Sequence, residues 1–560
     1  MRYEVWIAVH SRKGVAVSGA EPSFNLLDEP WIKVTGHDGN GRELGLRDIF
    51  AQAGEIKRIS GESPAQDFAI LRVALAVLYR AFDFGEDVKE NRKQWAAAWE
   101  DKKLPLERIS RYLDEYSHRF DLLDREAPFM QTPTLATKSG EWKSLEAIIP
   151  DSPELGDLFY RRSALAPLPL AEAARWLVHC LAFDFSGIKS GAVGDSRVKG
   201  GKGYPIGIGW SGWLGGTVLE GHSLLETLLL NIVDHKPVAW AGVPIWELPV
   251  PTSAVSDTPP PKGQLTLFTW PQRRIRLHVE NGMVTGALVC NGDPVDYLHQ
   301  DAVEMMSPWR YSEPQSKKAK EDIYMPKAIN PDRALWRGLS AVLPEAEVDT
   351  TKGRTGSEVR VSKPAGVMEA LKTRTGRRGG VVPQNYRLSL RMVGYEYGPQ
   401  MASYNRLLTD DLAFPALLAA DKQTIQFVLL AANRTQDTAA ELRKFANNLA
   451  IASGGERGAA GFSAEGSFYS DVDPVFRQWV SGLTSETDLS DHLATWTEQL
   501  RRLALARAAE LIASVPDSAW PGREVDERQY NVGHAELWFR RGLGKVLPRP
   551  EEQKPREKVN

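Results

Sequence analysis

Residues 386–452 read YRLSLRMVGYEYGPQMASYNRLLTDDLAFPALLAADKQTIQFVLLAANRTQDTAAELRKFANNLAIA, and the fold reading turns on the change of period inside them. From 386 to 398 the pattern is that of a strand leading into a turn at Gly398-Pro399. After about residue 413 the character is helical, and 421–452 form one long candidate helix. Toward the C-terminus, 488–514 form another, with Leu493, Trp496, Leu500, Leu503 and Leu511 along one stripe. Residues 470–482 and 524–546 supply two more. Four helices with modest connections indicate a four-helix bundle over 413–548. The tail 549–560, RPEEQKPREKVN, is charged and frayed in expectation.

Toward the N-terminus the elements are shorter and mixed. Residues 31–46 carry Asp38-Gly39 and Asn40-Gly41 between two short strands, which predicts a hairpin. Phe68, Leu71, Leu75 and Leu78 place a core-facing helix over 64–84, with Asp67 in its first turn suiting the helix dipole. More helix is expected over 91–120. After a proline-rich connector at 249–263, the runs QLTLFTW and RIRLHV read as strands, with a turn at Asn281-Gly282. The fold class expected is α+β: a large mixed domain with short antiparallel strands over 24–412, then the bundle. Residues 1–23 read as an extension before the fold begins.

Composition narrows the function. The chain has 560 residues and a net charge of −3, so it lacks the basic excess of a free-standing DNA-binding domain. Nucleic-acid contact must come from local basic loops or from a surface shared with other subunits. Two cysteines, Cys180 and Cys290, exclude a disulfide framework and a four-cysteine zinc site. No apolar run is long enough to span a membrane, and a cytoplasmic location is expected.

Residues 187–216 hold eleven glycines in thirty residues, a density no regular element tolerates, so a long functional loop is expected. Gly207-Ile208-Gly209-Trp210-Ser211-Gly212 is formally G-x-G-x-x-G, but neither flank suits a dinucleotide site. His37-Asp38 sits at a hairpin tip, where Asp-Gly is ordinary turn chemistry. The ten histidines show no metal-ligand spacing, and no nucleophile elbow is present. No cofactor, metal site or catalytic residue is expected. Basic groups are the better lead: Arg161-Arg162 after Phe159-Tyr160; Lys189, Arg197, Lys199 and Lys202 in the glycine-rich loop; Arg273, Arg274 and Arg276 on one strand; Lys317, Lys318 and Lys320; and Lys372, Arg374, Arg377 and Arg378. Cations on glycine-rich backbone suit phosphate contact, and aromatics beside arginines suit base or sugar stacking.

Four segments together resemble the CasA family, the large subunit of the type I-E CRISPR Cascade complex. They are Phe24-Asn25-Leu26-Leu27-Asp28-Glu29-Pro30-Trp31-Ile32, Glu126-Ala127-Pro128-Phe129-Met130-Gln131-Thr132, the loop ending Trp213-Leu214-Gly215-Gly216-Thr217, and Met392-Val393-Gly394-Tyr395 followed by Gln400. The resemblance implies a non-catalytic subunit that works with other Cascade subunits and crRNA. It would inspect double-stranded target DNA for the adjacent motif, the PAM, and help part the strands for guide pairing. It would also recruit a separate helicase-nuclease.

By the same resemblance, Phe159 falls in a mobile loop, flanked by Tyr160, Arg161 and Arg162. Gly207 falls at the glycine that lies against the DNA minor groove; Lys202, read from its own place in the loop and not from the resemblance, is expected to be a neighbouring phosphate contact. Gln400 falls at a wedge that enters the duplex, followed by Met401 and Ala402. The family's minor-groove lysine has no counterpart in 281–290, so Arg273, Arg274 or Arg276 would substitute. Two other classes compete: a nucleotide-dependent enzyme built on the glycine loop, which ATP or NAD binding would reveal, and a purely structural scaffold.

Overall fold

The computed structural model describes residues 22–548 apart from 151–165, 235–240, 257–258, 261, 345, 347–348, 355 and 376–379. The first sheet is built from β1 (Ile32–Gly36), β2 (Gly41–Leu44) and β3 (Ile56–Ile59), with β1 central. At the β1–β2 tip, Asp38 accepts hydrogen bonds from Asn40 N and Asn40 Nδ2 at 3.0 and 2.8 Å. Those bonds hold its carboxyl below the usual range and leave it serving the turn.

α1 (Pro64–Phe82) starts at Ser63, whose hydroxyl accepts from Gln66 N, and stops at Asp83 in the left-handed conformation, φ 50°. Its residues are buried nearly all round, the mark of a central core helix rather than a surface one. Arg72 on α1 is fully buried and forms a two-pronged ion pair with Glu304, at 3.1 and 2.8 Å. α1 packs against α2 (Leu170–Phe183). The glycine-rich segment follows α2 and contains two short strands, β4 (Lys189–Ser190) and β5 (Lys202–Gly203), before β6 (Gly216–Glu220).

The run QLTLFTW is not a strand: α3 (Gln264–Thr269) occupies it. All six of its residues are buried, and a short run hidden on every side carries no periodicity to separate helix from strand. β7 (Arg273–Glu280) and β8 (Met283–Asn291) form the expected hairpin, with Asn281 and Gly282 at φ 52° and 75° in the turn. β4 joins this sheet in parallel with β8 through Ser190 and Cys290.

β9 (Arg387–Tyr397) and β10 (Tyr404–Pro415) make the longest hairpin, with β6 on the other side of β9. A register shift between Glu396 and Tyr397 re-aims its tip. The bundle follows: α4 (Lys422–Ala452), α5 (Ala459–Ser481), α6 (Leu489–Ala513) and α7 (Val532–Val546). Asp421, Asp488 and Asn531 cap α4, α6 and α7 through their side chains. α4 touches the other three. Trp496 meets Phe476 edge-on at 5.3 Å, and Phe445 stacks on Phe539 at 4.9 Å.

Two boundaries differ from expectation. The segment 470–482 is only the latter half of α5, which runs straight through Pro474. Residues 524–546 open with a small hairpin, β11 (Arg523–Val525) and β12 (Arg528–Tyr530), before α7 begins. The bundle is tied to the sheet domain by polar groups. Arg477 on α5 donates to Asp410 on β10 at 2.9 Å and to Asp473 at 2.7 and 3.0 Å. Asp473 in turn accepts from Trp336 Nε1 at 2.8 Å.

Candidate nucleic-acid interface

Four consecutive residues at the end of α2, Phe183 to Ser186, join the glycine-rich loop to the β9–β10 tip. The Phe183 carbonyl accepts from the hydroxyls of Tyr397 and Tyr404, at 2.6 and 3.3 Å. The Asp184 carbonyl accepts from Gly209 N at 2.9 Å, and Ser186 N donates to the Met401 carbonyl at 2.7 Å. One strap therefore fixes loop and hairpin tip relative to each other.

Arg273 completes the junction. It is 1% exposed and pairs with the Asp184 carboxylate. Its guanidinium also donates to the carbonyls of Phe185 and Gly207, at 2.9 and 2.7 Å. Gln272 beside it donates to the Ile208 carbonyl at 2.7 Å. Lys189 supplies a second cation to Asp184 at 2.8 Å and lies over the Phe185 ring. Beneath the tip, His179 is buried, which drives its pKa down to about 3 and keeps the ring neutral. Its Nε2 lies 3.1 Å from the Tyr395 hydroxyl.

What the junction presents outward is unusual backbone. Gly207 has φ +102°, a conformation that strains any L side chain, and a Cβ built on it meets nothing within 4 Å among the described residues. At the hairpin tip Gln400 and Met401 both adopt left-handed conformations, φ 56° and 57°, and neither is glycine. Each such residue costs on the order of 1 kcal/mol or more, so the tip stores strain. Met401 N donates back to the Gly398 carbonyl at 2.9 Å and Ala402 N to the Pro399 carbonyl at 3.2 Å, while the Gln400 and Ala402 side chains are exposed.

The basic residues expected at the interface divide. Lys202 is exposed. Arg273 and Arg274 are not available to a phosphate: Arg274 is 4% exposed, pairs with Asp293 and donates to the Thr252 carbonyl at 2.7 Å. Both are internal anchors instead, because a buried cation needs a counter-charge and β7 places them beside two buried aspartates. Arg276 is half-buried, donates to the Leu135 carbonyl at 3.2 Å and leans on the Trp142 ring. Arg374 is also internal, paired with Asp234 at 3.0 Å. Phe159, Tyr160, Arg161, Arg162, Arg377 and Arg378 lie outside the described residues.

Sequence reasoning did not single out Asp184, Ser186, Tyr397 or Tyr404. The one signal was position: Asp184 ends the apolar α2 just before the glycines. Among the described residues no group of three or more His, Cys, Asp or Glu could hold a metal ion, and no helix is long and apolar enough to cross a membrane.

The family model described as CRISPR-associated protein Cse1 matches residues 25–506. The CRISPR-associated protein CasA/Cse1 of Thermus thermophilus is 31% identical over 339 residues, a match that spans 58% of this chain and 61% of that relative's length. The crystal structure of Thermobifida fusca Cse1 superposes with a TM-score of 0.85 at 35% identity, over 94% of this chain and 98% of that one. A chain of a structure titled CRISPR RNA-guided surveillance complex superposes with a TM-score of 0.67 at 19% identity, over 94% of this chain and all (100%) of that one, a likeness of fold.

Proposed function

Because the chain belongs to the CRISPR-associated Cse1 (CasA) family, we propose that it is the large, non-catalytic subunit of a type I-E Cascade ribonucleoprotein. In that role it works with crRNA and the other subunits, reads the PAM in double-stranded target DNA, helps open the duplex for guide pairing, and recruits the helicase-nuclease. The observation that carries the reading is the junction at 183–186. It sets an open-sided glycine, Gly207, and an exposed, strained glutamine, Gln400, on one rigid support. A bare glycine lets backbone approach a groove floor that a side chain would hold off. A glutamine on a stiff tip can separate a base step, which costs a few kcal/mol of unstacking that contact elsewhere must offset. Rigidity matters because a wedge on a mobile loop would yield before the base stack does.

The test is R-loop formation by the reconstituted complex, with and without this chain, on targets with and without the adjacent motif. The expected result is that the chain is required and discriminates between the targets, and that Gln400→Ala lowers R-loop yield on motif-bearing DNA. Equal R-loop formation without the chain on both targets would sink the reading. If the chain is needed but Gly207 and Gln400 can be replaced without effect on target binding, a scaffold role replaces DNA reading.

A further inference from the structure

We infer that the tip Lys199-Gly200-Gly201-Lys202 is a phosphate clamp: a sequence-independent contact for the sugar-phosphate backbone of duplex DNA, separate from the glycine and glutamine that face the bases. The inference rests on the reading of the chain as a DNA-reading subunit.

Charge counting isolates this tip. Between Asp184 and Ile206 there are four cations, Lys189, Arg197, Lys199 and Lys202, and two anions, Asp184 and Asp195. Lys189 pairs with Asp184, and Arg197 pairs with Asp195 at 2.8 Å. Lys199 and Lys202 are exposed and have no ion pair or hydrogen bond from their side chains among the described residues. A chain of net charge −3 thus concentrates on one four-residue tip two cations that have no anionic partner among the described residues.

The backbone there is built to hold them. Lys199 and Lys202 exchange N–H···O bonds at 3.1 Å in both directions, and Gly200 and Gly201 have φ 58° and 74°. That is a two-residue turn of the tight, right-twisted hairpin kind, with glycine at both positions of positive φ. The two amides of Gly200 and Gly201 donate to no group among the described residues. With no side chains at the turn, an anion can reach both amides and both ammonium groups.

The tip is also anchored. β4 and β5 pair beneath it, Gly191 N donates to the Gly201 carbonyl at 2.9 Å, and buried Asn291 donates from Nδ2 to the Tyr204 carbonyl at 2.6 Å. Four residues lie between Lys202 and Gly207, so the two are five steps apart, a reach of at most about 18 Å. That span lets the clamp engage a phosphate within a few base pairs of the step that Gly207 faces.

The experiment titrates the whole complex with duplex target over a series of salt concentrations, comparing the parent with Lys199→Ala/Lys202→Ala and with Lys199→Arg/Lys202→Arg. Each phosphate contact contributes roughly 0.9 to the slope of log affinity against log salt. The alanine pair is expected to lower that slope by roughly 1.8 and to weaken motif-bearing and motif-free targets by the same factor. The arginine pair is expected to keep the parent slope. An unchanged slope in the alanine pair, a loss confined to motif-bearing targets, or an equal loss in the arginine pair overturns the clamp. So does loss of the chain from the assembled complex, which moves the contact to guide RNA or a neighbouring subunit. The parent's own discrimination between the two targets, read in the same titration, tests the proposed function separately.

Discussion

The guanidinium of Arg273 donates to the carbonyl of Gly207 at 2.7 Å while its charge is matched by Asp184. A side chain that carries the load of a buried ion pair also sets where the glycine loop lies. Arg273→Ala leaves Asp184 buried with Lys189 as its remaining cation, so a loss of about 3–5 kcal/mol is expected in chemical denaturation. Arg273→Lys retains the charge but not the planar fork, and is expected to cost less while speeding amide exchange at 207–209.

The hairpin tip depends on the Phe183 carbonyl. Tyr397→Phe removes the shorter of its two hydroxyl donors, at 2.6 Å, and is expected to destabilise the chain by about 1 kcal/mol. Tyr404→Phe removes the 3.3 Å donor and is expected to cost less. A double-mutant cycle on the pair gives a non-additive result if the two hydroxyls share the carbonyl, and additivity counts against the strap.

Strain at the tip separates stability from function. Gln400→Gly relieves a left-handed non-glycine residue and is expected to raise stability by about 1 kcal/mol, read as a higher melting temperature, while lowering R-loop yield. Gln400→Ala keeps the strain and loses the amide, so its yield falls without the gain in stability. A destabilised Gln400→Gly variant would contradict the account of the tip.

Burial pushes the Asp67 carboxyl up to about 7, against the opposing pull of the Gly61 amide, Arg391 and Arg58. The folded pKa lies above the unfolded value of 3.8. Its contribution is therefore complete below about pH 4 and is lost as pH rises through 7. Asp67→Asn is expected to remove that loss and to be the more stable chain at pH 8, by on the order of 2 kcal/mol after discount for its partial exposure. Denaturation midpoints of both chains at pH 5 and pH 8 decide it; parallel pH profiles would refute it.

The same aspartate shows how far the sequence could be read. Its place in the first turn of α1 was legible from apolar spacing, but its raised pKa comes from burial under elements distant in sequence, which outweighs the pull of Arg58 and Arg391. The β9 strand, its turn at Gly398-Pro399 and the long α4 were legible because each has enough residues to show a period. The six residues of α3 were not, since burial on every side erases the contrast. Arg273 looked like surface charge because nothing local betrays Asp184, its partner 89 residues away. The glycine-rich segment was legible as a loop, but that it is pinned at Gly207, Ile208 and Gly209 follows only from tertiary bonds.

The hairpin of β9 and β10 ends in solvent at Gln400 and is gripped by Arg477 of the bundle at Asp410. Between the two lie nine residues, most of them in one paired strand whose ladder is continuous from Arg406 onward and skips Asn405 at the register shift. A strand of that kind acts as a stiff lever whose short arm reaches solvent and whose far arm rests in the grip of a neighbouring domain. A push on the glutamine therefore meets the register shift at Glu396 and Tyr397 before it meets the continuous ladder that leads to the domain joint.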